Sequence, residues 1–226
     1  MAEPIRAYFD FLSPFAYVGW FAARPLAARH GRALEPAPTL LAPLLDAHGQ
    51  KGPAEVPPKR AYVFKDAYRK AHRAGLPPLV PPPAHPFNPL LALRAASLPL
   101  EPADRERLID ALFRRAWAEG KAVDDDEGVA LAAAAAGLDG PAIVARAKAP
   151  AAKDALRRQT ELALAAGVFG VPSFVVDGEL FFGVDGLESL DAFLAGRDPV
   201  PPDLLARWAS LTPSAWRRGA GEPPKP

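Results

Sequence analysis

Ser13 stands directly before Pro14 and directly after Ile5–Phe11, an alternating, aromatic-rich segment. A hydroxyl placed where a strand hands over to a helix meets free backbone N–H groups and the positive end of a helix dipole. An anion such as a thiolate is stabilised at such a place, and a serine adds one donor that can point at sulfur. No base is adjacent in sequence, so Ser13 is a weak nucleophile. Serine is also a favoured N-cap, and read alone that accounts for it. A second candidate is Val171-Pro172, which ends the Gly-rich turn of Gly167–Gly178 and opens a strand. A proline there is either an ordinary turn residue or sits in a cis bond that bares the preceding backbone for pairing with an extended ligand.

The composition narrows what this chemistry can be. The 226 residues contain no cysteine, which excludes disulfides, thiolate metal sites and cysteine nucleophiles within the chain. Lys+Arg 27 against Asp+Glu 26 leaves a net charge of +1, so charge points to neither nucleic acid nor an anionic membrane as partner. No charged-then-apolar leader opens the chain, and no apolar run is long enough to span a bilayer. The expectation is a cytoplasmic protein. His30, His48, His72 and His85 show no metal-ligand spacing and read as ordinary surface or loop residues.

The elements that must position these residues follow from periodicity. Ile5–Phe11 reads as a strand, and Ser13-Pro14 starts a helix that Gly31 ends, with Pro25 placed to kink it. Ala33–Leu41 is a proline-interrupted strand, suited to a sheet edge. Residues 42–85 mix short helical patterns with turns, Lys59–Ala74 being the best helix, and Leu76–Pro86 is a proline-dense loop. Helices are predicted over Phe87–Leu98, Glu101–Glu119, Glu127–Ala136, Pro141–Ala149 and Ala152–Gly167. Strands return at Ser173–Val176 and Glu179–Phe182 around Asp177-Gly178, a hairpin signal, and Leu187–Leu194 closes with a helix. Pro202–Ser210 is a further short helical pattern, and Gly219–Pro226 is expected to be disordered.

Taken together, the two candidate segments resemble an α/β thioredoxin-like fold of the DsbA-like kind with a large all-helical insertion. In the oxidoreductases of that group two cysteines open the helix. Here Ser13-Pro14-Phe15-Ala16 occupies the place, so disulfide exchange is excluded. The closer resemblance is to the 2-hydroxychromene-2-carboxylate isomerases and kappa-class glutathione transferases. It is carried by Phe9-Asp10-Phe11-Leu12-Ser13-Pro14-Phe15-Ala16-Tyr17 and Val168-Phe169-Gly170-Val171-Pro172-Ser173-Phe174. Phe87-Asn88, Leu93-Arg94-Ala95 and Phe181-Phe182-Gly183-Val184-Asp185 add to it in the right order. The implied organisation is a discontinuous thioredoxin-like domain (1–42 and 153–196), a helical insertion (43–152) and a Pro-rich C-terminal extension (197–226).

The resemblance implies glutathione as cofactor or co-substrate. Ser13 would hydrogen-bond its sulfur, and the backbone of Val171, before Pro172, would pair with its cysteinyl part. Gly183-Val184-Asp185 would hold the γ-glutamyl end, Asp185 facing the α-ammonium; Asp185 also reads as an N-cap for the next helix. Family members often carry a basic residue after this Asp. Here it is Gly186, so one carboxylate contact is missing or comes from elsewhere. Gln50 and Asn88 are the candidates for substrate contact from the insertion. A solvated loop accounts equally for Gln50, and helix capping competes for Asn88. Lys59, Lys65 and Arg69 could meet a substrate carboxylate or simply form a solvated helix face. The implied reaction is isomerisation of a small aromatic ring-cleavage compound, 2-hydroxychromene-2-carboxylate to trans-o-hydroxybenzylidenepyruvate. The rivals are a kappa-like transferase that releases a conjugate and a non-catalytic peptide-binding module. Relatives of this kind are commonly dimers, so a homodimer is the implied assembly.

Overall fold

The computed structural model describes residues 2–212 and residue 214. Its framework is a four-stranded sheet of β1 (Ile5–Phe9), β2 (Leu34–Pro38), β3 (Ser173–Val176) and β4 (Glu179–Phe182) in the order β2-β1-β3-β4. β1 pairs parallel with β2 and antiparallel with β3, and β3 pairs antiparallel with β4. β2 lies at the edge, where Pro36 and Pro38 leave no ladder donor unmet. The β3–β4 hairpin turns on Asp177 and Gly178, whose φ angles of 51° and 82° are the pair a two-residue turn of this hand needs.

Both faces of β1 are buried. Phe9 packs with Phe11, Trp20 and Phe113 on the face covered by α1 (Pro14–Arg29) and α5 (Pro102–Trp117). Tyr8 packs with Leu44, Ala163 and Val171 on the other, under α2 (Leu41–Ala47) and α8 (Pro150–Ala165). Between α2 and α8 run a 3₁₀ turn (Pro53–Glu55), α3 (Pro57–Arg73), α4 (Leu90–Ala96), α6 (Asp126–Ala135) and α7 (Gly140–Lys148). Their apolar faces join the sheet in one continuous core, so Leu93, Leu108, Val129 and Ile143 belong to the same cluster as Ile5 and Phe174. α9 (Gly186–Leu194) follows the hairpin, and α10 (Pro202–Ala209) lies in the C-terminal segment. No helix among the described residues is long and apolar enough to cross a membrane. The expectation of disorder over Gly219–Pro226 falls outside the described residues.

Several boundaries differ from the periodicity, and three of them have a clear local reason. β1 stops at Phe9 because Asp10 folds back and its Oδ1 accepts the Leu12 N–H at 3.0 Å. β2 stops at Pro38 because Asp10 Oδ2 accepts the Leu41 N–H at 2.9 Å, which starts α2 where strand was expected. α4 starts at Leu90 because Pro89 disfavours a helical backbone at Asn88, whose Oδ1 instead accepts the Leu90 N–H at 3.1 Å.

Candidate active site

Ser13 begins the site. It caps α1: its Oγ accepts the Ala16 N–H at 3.2 Å and its carbonyl accepts Ala16 and Tyr17. Capping uses the oxygen lone pairs only, and the hydroxyl hydrogen has no acceptor among the described residues. Pro14 has no N–H, and the Phe15 N–H has no partner among the described residues. Two donors, one O–H and one N–H, therefore remain at the positive end of a 16-residue helix.

The loop before Ser13 is held from several sides. Trp117 Nε1 donates to the Phe11 carbonyl at 2.8 Å, and Asp10, itself buried, holds Leu12 and Leu41. Burial pushes the Asp10 carboxyl up to about 6, against the lowering effect of its two backbone hydrogen bonds. His85 Nε2 donates to the Leu12 carbonyl at 3.1 Å, because a carbonyl can only accept. Burial lowers the His85 pKa from its ordinary value, so the free imidazole is neutral near pH 7.

On the same cavity as Ser13, the Val171-Pro172 peptide is cis. The Val171 backbone makes no hydrogen bond among the described residues, whereas the Pro172 carbonyl accepts the Gly183 N–H at 2.8 Å. That bond ties the proline turn to the segment after β4. α1 reaches Pro172 through Gly19: a Cβ there would stand 2.9 Å from Pro172 Cγ. A mid-helix glycine costs up to about 1 kcal/mol against alanine, so close helix approach is the reason to keep it.

Ser13, Val171, Pro172, Gly183, Val184, Asp185 and Gln50 all line one cavity of about 530 Å³, a size suited to a small organic ligand. Asn88 does not line it. It is exposed and its Oδ1 accepts the Leu90 N–H, so the structure does not bring it to the cavity as a substrate contact. Asp185 is at the N-cap position of α9 but makes no side-chain cap; its carboxylate, 83% exposed, instead accepts from Lys70 Nζ. Of the α3 cations considered, Lys59 lines the cavity, whereas Lys65 and Arg69 do not.

Sequence reasoning missed Lys70 and His85. Lys70 is buried, 9% exposed at its side chain, with Asp66 Oδ2 at 3.7 Å and the Phe15 ring beneath its ammonium. Its signal was available: the apolar positions Val63 and Ala67 put residue 70 on the buried stripe of α3. His85 gave no such signal, because it sits in a loop without periodicity. Phe169 and Phe182, packed with ring centroids 4.8 Å apart and planes tilted by 47°, add an apolar wall. Among the described residues no cluster of His, Cys, Asp or Glu could hold a metal ion.

The motifs, the four-stranded order and the cis proline that shares a cavity with Ser13 are joined by a direct match. The family model of the DSBA-like thioredoxin domain covers residues 4–195. The chain belongs to that family. Over 199 residues it is 31% identical to the 2-hydroxychromene-2-carboxylate isomerase of Sphingobium xenophagum, a match covering 86% of this chain and 99% of the relative. It is 28% identical over 220 residues to glutathione S-transferase kappa 1 of Rattus norvegicus, covering 90% and 96%. A solved 2-hydroxychromene-2-carboxylate isomerase superposes with a TM-score of 0.77 at 26% identity, over 92% of this chain and 99% of that one. The cytosolic disulfide reductase DsbM from Pseudomonas aeruginosa shares the fold, with a TM-score of 0.60 at 17% identity over 86% and 98%. Within the DSBA-like family this chain thus groups with isomerase and glutathione transferase enzymes, and its DSBA-like helix start carries serine in place of thiol.

Proposed function

We propose that the protein is a glutathione-dependent isomerase that converts 2-hydroxychromene-2-carboxylate to trans-o-hydroxybenzylidenepyruvate, with Ser13 stabilising the glutathione thiolate. The observation that carries this is the pair of unspent donors, Ser13 O–H and Phe15 N–H, at the start of α1 on the cavity that Val171-Pro172 also lines. Glutathione supplies a nucleophilic sulfur that can add to, and later leave, an electron-poor carbon of an unsaturated ring.

The chain's own groups match the tripeptide. A free thiol near pKa 8.5 is mostly protonated at neutral pH. The Ser13 O–H, the Phe15 N–H and the helix dipole favour the anion and draw that value down. The Val171 backbone is open for pairing with an extended ligand. At the γ-glutamyl end Asp185 faces the α-ammonium, and Lys70 beside it offers its cation to the α-carboxylate, so opposite charges meet on both sides. Lys70 thereby supplies from α3 the positive charge that Gly186 lacks. Gln50, Lys51 and Lys59 stand exposed on the far wall, placed to meet the polar groups and carboxylate of an aromatic substrate.

Calorimetric titration with glutathione, followed by incubation with 2-hydroxychromene-2-carboxylate, tests the reading. The expected result is one-site binding, then isomerised product with glutathione recovered unchanged. A stoichiometric stable conjugate would make the protein a transferase of the kappa kind. Absence of any glutathione binding would defeat both assignments.

A further inference from the structure

His85 lines the same cavity as Ser13, and beyond its bond to the Leu12 carbonyl it has no chemical role in the proposed reaction as stated. Its ring is fixed in place: Phe64 and Trp117 meet it edge-on at 5.1 and 5.7 Å, and Nε2–H is bonded to the carbonyl of Leu12, the residue before Ser13. With the hydrogen on Nε2, Nδ1 carries the lone pair. Nδ1 has no hydrogen-bond partner among the described residues. It is also not among the buried orphan atoms, which are Tyr17 Oη, Arg24 Nε and Arg94 Nε, so it is an accessible lone pair on a residue that lines the cavity.

We infer that His85 is the base that takes the thiol proton from glutathione bound at Ser13, an assignment that rests on the glutathione reading above. The sulfur–hydrogen bond breaks and its electron pair stays on sulfur. The proton forms a new N–H bond at Nδ1, while Nε2–H stays on Leu12. The product is an imidazolium–thiolate pair with no change of net charge and no further reactant. When sulfur leaves the substrate again, Nδ1 is placed to hand the proton back.

The environment suits this exchange. Burial keeps the free imidazole unprotonated, so its lone pair is available before the ligand arrives. A thiolate beside it then favours the imidazolium, and mutual stabilisation of such a pair is a general route to an activated sulfur. The other charged groups around the cavity are Lys51, Glu55, Lys59, Asp66, Lys70 and Asp185, with Asp10 behind Leu12. None of them forms a hydrogen bond or salt bridge with His85 among the described residues. The imidazole is thus free to answer to the sulfur.

The test compares wild type with His85→Gln, whose carboxamide N–H can still reach the Leu12 carbonyl but cannot act as a base. Thiolate absorbance of bound glutathione is followed together with calorimetry in buffers of different ionisation heat, which counts protons released. Wild type is expected to form thiolate near neutral pH while releasing well under one proton per site. His85→Gln should bind glutathione but show either no thiolate or a full proton released per thiolate. Its turnover should fall about 100-fold, the usual scale for losing a positioned base. The acidic limb of the rate profile should move up to the pKa of the unassisted bound thiol in His85→Gln, and an unmoved limb would count against His85 as the base. Added imidazole should restore part of the turnover of His85→Ala. Full proton release by wild type, or unchanged ionisation and rate in His85→Gln, overturns the role of His85 alone. Failure of wild type to bind glutathione overturns the reading beneath it.

Discussion

Ser13 and Val171 are each 7% exposed, one the cap of α1 and the other in the turn leading into β3, whereas Gln50, Lys51 and Lys59, which line the same cavity, are exposed, in a loop and the first turn of α3. The two walls hold a ligand by different means. The sheet-side wall offers short, dry, backbone-centred contacts that cannot move without disturbing α1, Pro172 and β3. The helical wall offers long charged side chains that water already solvates. Donors fixed in a dry site stabilise developing charge without reorganising, and their loss is felt in rate. Solvated side chains at a rim contribute modestly and set which substrate fits.

The sharpest way to break that contrast is Ser13→Ala. It removes the hydroxyl donor and one cap while the Ser13 backbone carbonyl keeps its helix bonds. Loss of one preorganised donor to an anion costs about 10²–10³ in rate, and loss of the cap costs about 1 kcal/mol of stability. The expected outcome is a folded protein that still binds glutathione, with the bound thiol's pKa raised and turnover reduced on that scale. Wild-type ionisation and wild-type turnover would take Ser13 out of the chemistry and leave it a helix cap.

How far the site was legible in sequence follows the same division. The sheet-side residues announced themselves because the demands on them are local: an N-cap serine, a proline at the first helical position and a proline opening a strand are each written in adjacent letters. The hairpin at Asp177-Gly178 was legible for the same reason, and β3 and β4 fall where periodicity put them. Lys70 and His85 act across separations of 115 residues to Asp185 and 73 to Leu12, and no local rule reports such a partner. Asn88 shows the reverse case, a polar residue in a matching motif that lies off the cavity and whose Oδ1 serves the Leu90 N–H two residues away.

Asp10 belongs to neither wall and ties them together, one oxygen on Leu12 before Ser13 and the other on Leu41 at the start of α2. Its folded pKa of about 6 lies above the ordinary 3.8, so the native protein keeps a proton that the unfolded chain has lost. Native binding of more protons means that stability falls as pH rises through the window from about 4 to 6. The contribution is at most about 3 kcal/mol, from two pKa units at about 1.4 kcal/mol each. Denaturant unfolding of wild type should therefore lose stability across that window relative to Asp10→Asn, which has no such proton to lose. Parallel curves for the two proteins would show that Asp10 titrates alike in both states and strains neither wall.

The smallest expected effect lies where the two walls meet, at the pair of Asp185, in the turn after β4, and Lys70 on α3. Asp185→Ala should weaken glutathione binding about tenfold, or 1.4 kcal/mol, and change the rate of the bound complex little, because the γ-glutamyl end is remote from sulfur. Lys70→Met keeps most of the buried side-chain volume and removes only the cation, and it should weaken binding by a similar factor. If the two charges grip one zwitterion, the double variant should cost less than the sum of the single ones, since each single change already spoils the shared contact. Strict additivity would mean that the two residues hold separate parts of the ligand. Wild-type affinity in Asp185→Ala would mean that the pair is a strut between α3 and the turn after β4, with no ligand at its end.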